Sequence, residues 1–127
     1  MAWTYSDFTF EGGAFDGNQI AGIPEHLISA EVGYQLEALH LSTNLRWLPE
    51  ETTVDHANTL TQDSYALWGL KLNWQPGPAL QLFASVDNLT DEVYESGFVI
   101  RNQSSLSQPT FLPGNGRSFN AGVRYRF

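Results

Sequence analysis

The sequence predicts an all-β protein built as one antiparallel, up-and-down sheet of about six strands. Three observations support this fold class. Apolar and polar residues alternate with period two along most of the chain, as they do in strands with one apolar and one polar face. Glycine, proline and asparagine separate the alternating segments. The connections between these segments alternate between short and long.

The first strand is predicted over residues 2–11, which are rich in aromatic and β-branched side chains. Its facing is ambiguous, because Trp3 and Tyr5 share one parity while Phe8 and Phe10 share the other. A β-bulge near Ser6 and Asp7 would reconcile the two pairs.

Two strands with clean alternation follow, over residues 26–36 and 39–47, and a short reversal joins them at 35–38. Several leucines in this region are compatible with a helix, but the strict period of two argues against one. The apolar positions of the two strands are Ile28, Ala30, Val32, Tyr34, Leu39, Leu41, Thr43, Leu45 and Trp47.

Residues 65–74 and 79–88 are predicted to form the next two strands, with a tight proline-glycine turn at 75–78. Residues 93–100 are also compatible with an extension of the second of these strands. The last strand is predicted over residues 117–127, and its apolar positions are Phe119, Ala121, Val123, Tyr125 and Phe127.

The lengths of the connections favour a membrane barrel. The long connections cover residues 12–25, 48–64 and 89–116, and the short ones cover 35–38 and 75–78. Outer-membrane barrels have short periplasmic turns and long extracellular loops, and all five connections fit that arrangement. The sheet is therefore predicted to be a segment of a transmembrane β-barrel.

Aromatic residues on the apolar face lie near the ends of the predicted strands. Tyr34, Trp74 and Phe127 belong to the end with short turns, and Trp47 belongs to the end with long loops. Aromatic girdles mark both membrane interfaces of such barrels. These four residues are therefore predicted to be interfacial aromatics in contact with outer-membrane lipid.

Composition excludes several classes of function. The net charge of −8 argues against nucleic acid as a partner, and the absence of cysteine excludes disulfides and thiolate metal sites. No apolar run approaches the ~18 residues that a membrane-spanning helix needs. The first residues have neither a basic nor an apolar region, so no signal peptide is expected.

No catalytic residue, cofactor site or metal site is predicted. His26, His40 and His56 lie on separate segments without metal-ligand spacing. The acidic residues between Asp87 and Glu95 lack the spacing and the glycine of a calcium loop. Catalytic motifs such as a nucleophile elbow are also absent from the sequence, so the protein is not expected to be an enzyme.

The last strand carries a pattern that resembles the C-terminal signal of bacterial outer-membrane barrels. Its four positions are Asn120, Gly122, Tyr125 and Phe127. This resemblance implies that these residues form an assembly signal and that the barrel-assembly machinery is a partner.

Four further segments, which are spread along nearly the whole chain, are similar to segments of TonB-dependent outer-membrane receptors of the siderophore type. They are residues 18–26, residues 55–60 with Ser64 and Tyr65, residues 86–94 (Val-Asp-Asn-Leu-Thr-Asp-Glu-Val-Tyr), and residues 113–117 (Pro-Gly-Asn-Gly-Arg) followed by Phe119, Tyr125, Arg126 and Phe127. The resemblance implies a barrel of ~22 strands with an N-terminal plug, located in the outer membrane of a Gram-negative cell. It also implies uptake of a ferric siderophore or a similar ligand, powered through TonB.

Residues 1–127 are accordingly expected to be the C-terminal part of the barrel domain, without the plug that contacts TonB. Six strands are fewer than the ~8 of the smallest bacterial membrane barrels, so the chain is expected to be a fragment that does not transport alone. Its partner would be the remainder of the receptor. Two alternatives remain open at this point. One is a soluble ligand-binding β-barrel with the apolar face inward, and the other is a small structural outer-membrane barrel.

Overall fold

The computed structural model describes residues 1–105 and 107–127, and these form one principal sheet with two small hairpins. The sheet has six antiparallel strands, which lie side by side in their order along the chain. Each strand pairs with the next one of the principal sheet along the chain, so the predicted all-β, up-and-down architecture is confirmed. The strands are β1 (Ala2–Tyr5), β2 (His26–Leu36), β3 (Leu39–Leu48), β6 (Tyr65–Trp74), β7 (Leu80–Asp87) and β10 (Ser118–Tyr125).

Two short turns join strands at one end of the sheet, which we call the turn end. Between β2 and β3, Leu36 pairs with Leu39, so Glu37 and Ala38 alone make the turn, with Glu37 at φ 48°. The turn between β6 and β7 contains the predicted Pro76, Gly77 and Pro78. The part of the chain that the structure describes contains no candidate for a membrane-spanning helix.

Three long connections lie at the opposite end, which we call the loop end. They are L1 (residues 6–25), L2 (residues 49–64) and L3 (residues 88–117). L2 contains the hairpin of β4 (Thr52–Thr53) and β5 (Thr61–Gln62), and L3 contains the hairpin of β8 (Glu95–Phe98) and β9 (Phe111–Pro113). The expected extension of the fifth strand over residues 93–100 is therefore wrong, because β8 pairs with β9 in a separate sheet.

The first strand is shorter than the predicted residues 2–11. β1 ends at Tyr5, and the chain then leaves the sheet, with the Ser6 amide still donating to the Glu25 carbonyl at 2.9 Å. Further on, Thr9 bridges to Gln19 within L1. The change of parity after Tyr5 therefore marks the end of the strand rather than a bulge inside it.

Burial is concentrated in the loops rather than in the sheet. Val54 and Asp55 in L2 have no exposed surface, and Ala21 in L1 is nearly as buried. Residues on the sheet, such as Val32 and Val123, are about two-thirds exposed at 65% and 66%. A single sheet layer ordinarily buries one face against a second layer. This sheet instead presents both faces, and its small core lies at the loop end.

Candidate functional site

The pairing register places one set of side chains on an apolar face of the sheet, which we call the outer face. Ile28 lies opposite Trp47, Thr43 opposite Leu70, and Ala84 opposite Ala121. This arrangement follows from the period-two alternation of each strand. The outer face carries aliphatic residues along the middle of the strands and aromatic residues near both ends.

Three of the predicted interfacial aromatics lie on the outer face, and the fourth follows the last strand. Tyr34 and Trp74 are near the turn end and Trp47 is near the loop end, and all three are exposed. Phe127 lies two residues after β10, where its ring packs edge-on against Tyr125 at a centroid distance of 5.6 Å.

Three aromatic side chains form a group at the loop end of β1 and β2 that the sequence left undecided. Trp3 pairs with Ile28 and Tyr5 pairs with His26, so both aromatics belong to the outer face. The Trp3 Nε1–H donates to His26 Nδ1 at 3.2 Å, and the Tyr5 ring lies 5.0 Å from the His26 ring. The pairing of β1 with β2 determines the face on which Trp3 and Tyr5 lie, and a single sequence does not reveal that pairing.

The opposite face, which we call the inner face, is polar. Glu31, His40 and Lys71 lie along one cavity of about 400 Å³ in the middle of this face. Arg46 and Asp87 line a second cavity of about 320 Å³ near the loop end. Charged groups require water or partners, which a barrel lumen supplies and hydrocarbon does not.

Three of the four residues of the predicted assembly signal lie in β10, where they divide between the two faces, and Phe127 follows the strand. Asn120 and Gly122 lie on the inner face, opposite Ser85 and Phe83, whereas Tyr125 lies on the outer face opposite Leu80. The Phe83 ring covers Gly122 so closely that a Cβ atom there would lie within 2.9 Å of three ring carbons. Only glycine leaves space for that ring.

Two of the segments that resemble the receptor family, residues 86–94 and 113–117, contact each other at the base of L3. The buried Asn88 side chain donates to the carbonyls of Glu92 and Asn115 at 2.9 and 3.1 Å. The Tyr94 ring lies directly over Gly114. Asp91 Oδ1 accepts a hydrogen bond from the Arg117 amide at 2.9 Å. The two ends of L3 are therefore held together by contacts between residues 86–94 and residues 113–117.

L2 contains a buried carboxylate that the sequence did not single out. The Asp55 side chain accepts hydrogen bonds from the amides of Thr59, Leu60 and Ser104 at 2.8, 3.2 and 2.9 Å, and from the Thr59 hydroxyl. Burial by itself raises the pKa of this carboxyl, but the hydrogen bonds outweigh burial and hold the pKa below its usual value. Asp55 is thus an ionised, hydrogen-bonded group inside the loop cluster.

The three histidines lie in different environments. His26 is on the outer face, His40 is on the inner face, and His56 is in L2 with its ring 5.0 Å from that of Phe10. Within residues 1–105 and 107–127, no group of three or more potential metal ligands could hold an ion. The polar contacts of the loops are instead made within the chain.

Comparisons with known proteins agree with this architecture. Residues 1–89 match the family described as TonB dependent receptor-like, beta-barrel. No curated protein sequence matches the chain.

Several solved structures are similar over nearly the whole chain. The siderophore receptor PiuA from Acinetobacter baumannii is 19% identical with a TM-score of 0.76, over 97% of this chain and 18% of that one. The ferric yersiniabactin uptake receptor FyuA from Yersinia pestis is 22% identical with a TM-score of 0.74, over 95% of this chain and 19% of that one. The ferric-catecholate import receptor Fiu from K12 E. coli is 22% identical with a TM-score of 0.72, over 98% and 18%. The chain thus spans about a fifth of the length of these receptors, and at such identities the likeness concerns the fold.

Proposed function

Since the chain belongs to the TonB-dependent receptor-like β-barrel family, we propose that it forms part of the barrel wall of an outer-membrane transporter for a ferric siderophore or a chemically similar ligand. In this proposal the six strands do not transport alone. They act together with the remaining strands and with a plug through which TonB supplies energy.

The observation that carries the proposal is the division of the sheet into an apolar outer face and a polar inner face, with the long loops at one end. Lipid can cover the outer face, where aliphatic residues such as Val32 lie between aromatic residues at both ends. Water, plug and ligand can occupy the side that carries Glu31, His40 and Lys71. The soluble-barrel alternative requires the apolar face to be packed inside, whereas here it is exposed.

The nature of the ligand is proposed from similar structures. PiuA is a siderophore receptor, FyuA takes up ferric yersiniabactin, and Fiu imports ferric catecholates. Siderophores, ferric yersiniabactin and ferric catecholates are all iron chelators or their iron complexes. We therefore propose that the ligand of the full-length protein belongs to the same chemical class.

Uptake by the full-length protein tests this function. The protein is expressed in an E. coli strain that lacks its own ferric-siderophore receptors, on medium in which a chelator withholds iron. Growth should be restored by at least one ferric siderophore from a panel of catecholate, hydroxamate and phenolate types, and only when TonB is present. Failure of every siderophore, with the receptor present in the outer membrane, would contradict the proposal.

We also propose that Asn120, Gly122, Tyr125 and Phe127 form the signal for assembly into the outer membrane. Support comes from the sequence pattern and from β10, which places a polar residue and a glycine on one face and an aromatic on the other. In the full-length protein, Phe127→Ser should lower the amount of folded barrel in the outer-membrane fraction. Arg126→Ser is the matched control, because it changes a neighbouring residue outside the pattern. Equal assembly of the two variants would contradict the role of Phe127.

A further inference from the structure

The turn formed by residues 55–58 is the feature of L2 on which this inference rests. The Asn58 amide donates to the Asp55 carbonyl at 3.0 Å, and Asn58 adopts a left-handed backbone with φ 53°. The Asp55 carboxylate then accepts from the amides of Thr59 and Leu60, which follow the turn. The carboxylate thus fixes the chain on both sides of Asn58.

L3 attaches to this turn along one side. The His56 and Ala57 amides donate to the carbonyls of Arg101 and Asn102 at 3.0 and 2.8 Å. The Ser104 amide donates to Asp55 Oδ2 at 2.9 Å, across 49 residues of sequence. L3 therefore contacts both the backbone of the turn and the carboxylate that holds it.

L1 attaches to the other side of the same turn. The Asn58 side-chain amide and the Gln19 backbone form a reciprocal pair, with N–O distances of 2.7 and 2.9 Å. The Asn18 side chain donates to the His56 carbonyl at 3.0 Å. These contacts depend on the position of residues 56 and 58, which the turn determines.

L1 and L3 also touch each other directly. Gly22 in L1 is so close to Ile100 and Phe98 in L3 that an added Cβ would lie 2.7 and 3.3 Å from their side-chain atoms. The Gly22 amide meanwhile donates to Thr53 in L2 at 2.8 Å. The three loops therefore form a closed set of pairwise contacts around residues 53–58.

From these contacts we infer that Asp55 makes the three long loops one cooperative unit, which opens as a whole rather than loop by loop. Loss of the carboxylate would release the turn, and both neighbouring loops would lose their hydrogen bonds at once. Ordinary surface loops open separately, with low and unequal free energies. The inference is independent of the ligand, because it concerns how the loops move and not what they bind.

Amide hydrogen exchange on the unmodified full-length protein in detergent micelles gives the first test. Three amides report the contacts between the loops. The Gln19 amide joins L1 to L2, and the Ala57 and Ser104 amides join L2 and L3. A single unit predicts that, after correction for intrinsic rates, all three have the same opening constant. Clearly different constants would show that the loops open separately and would overturn the inference.

The second test removes the charge. Asp55→Asn replaces one acceptor oxygen by an NH2 group, so buried donors lose their partner. Exchange of the Gln19, Ala57 and Ser104 amides should each become about tenfold faster or more. Asp63→Asn is the matched control, because it makes the same chemical change at an exposed position of L2 and should alter none of the three rates.

The outcome that counts against the inference is a local one. Faster exchange at residues 55–60 and Ser104 with an unchanged rate at Gln19 would show that Asp55 holds only its own turn and its direct partner. If the Asp55→Asn protein does not assemble, the exchange measurement on the unmodified protein still decides whether the three loops open as one unit.

Discussion

At two positions of this chain, glycine is required because an aromatic ring occupies the space of a side chain, and not because the backbone has a positive φ. Phe83 covers Gly122 across β7 and β10, and Tyr94 covers Gly114 at the base of L3. Neither glycine is among the residues with positive φ. Close packing of a ring onto the backbone requires that no Cβ intervene, and it fixes one register between the two chain segments.

Gly122→Ala should therefore destabilise the barrel, by about 1–3 kcal/mol, because the Phe83 ring must move to admit the new methyl group. Gly33→Ala is the control, since its Cβ would meet only the His40 imidazole, at 3.3 Å. Urea unfolding of the full-length protein in detergent measures both. Combining Gly122→Ala with Phe83→Ala should cost less than the sum of the single changes. Strict additivity would show that the ring and the glycine do not interact.

The buried carboxylate of Asp55 makes the loop cluster sensitive to acid. Because its folded pKa lies below the unfolded value of about 3.9, ionisation stabilises the folded loops above that pH. The contribution is lost as pH falls through the folded pKa. Loop amide protection, corrected for intrinsic exchange, should thus be constant from about pH 7 to 5 and fall below about pH 4. In Asp55→Asn this acid-dependent fall should be smaller, and an identical fall would assign the effect to other carboxylates.

At the residue scale, the sequence predicts on which face of the sheet a side chain lies better than it predicts which residue that side chain contacts. Alternation assigns Ile28 and Trp47 to one face, and pairing shows them opposite each other. The role of Asp55 was not predicted, because its partner Ser104 is 49 residues away and a lone sequence carries no signal for that distance. Trp3 and Tyr5 were ambiguous for a similar reason, since their facing follows from β2 and not from their own neighbours.

At the scale of the element, β7 offers a direct comparison between the two environments of one strand. Ala84 and Ser85 are adjacent near the middle of β7, and they pair on opposite faces with Ala121 and Asn120. Lipid surrounds the first in our proposal, and the lumen surrounds the second.

Ala84→Arg should accordingly lower the stability of the full-length barrel by about 2–4 kcal/mol if this position lies near the bilayer midplane. Ser85→Arg, one residue further on, should have a much smaller effect because the guanidinium remains hydrated. Folding titrations in lipid vesicles compare the two. A reversed order would show that the faces are assigned the wrong way round.

The strands of the sheet were predictable because each keeps a single period over eight to eleven residues, except β1, which has four. The hairpins β4–β5 and β8–β9 were not predicted. Their strands are two to four residues long, too short to display a period, and tertiary contacts hold them in place. Val54, for example, is fully buried although it lies just after β4 and outside every strand.

At the scale of the whole molecule, the principal sheet is a single layer with two open edges. β10 has its second edge unpaired, and β2 extends beyond β1 from Ala30 to Leu36. Unpaired edges and a broad apolar face promote association in water. In a membrane, neighbouring strands and lipid would cover both.

Residues 1–127 expressed alone should consequently aggregate in buffer without detergent, and detergent micelles should keep them dispersed by covering the outer face. Sedimentation velocity in the presence and absence of detergent measures this difference. A monomer that melts cooperatively without detergent would contradict the membrane assignment of the outer face.

The location of the core at the loop end also has a practical consequence for labelling the protein. Surface loops usually accept foreign peptides, and a tag or fluorophore would ordinarily be introduced in one of them. Here an insertion between residues 53 and 58 would separate all three loops, whereas Gly12 and Gly13 have open space around them. In the proposed function the loop end faces the outside of the cell, so an epitope for surface labelling belongs at the tip of L1, near Gly12 and Gly13.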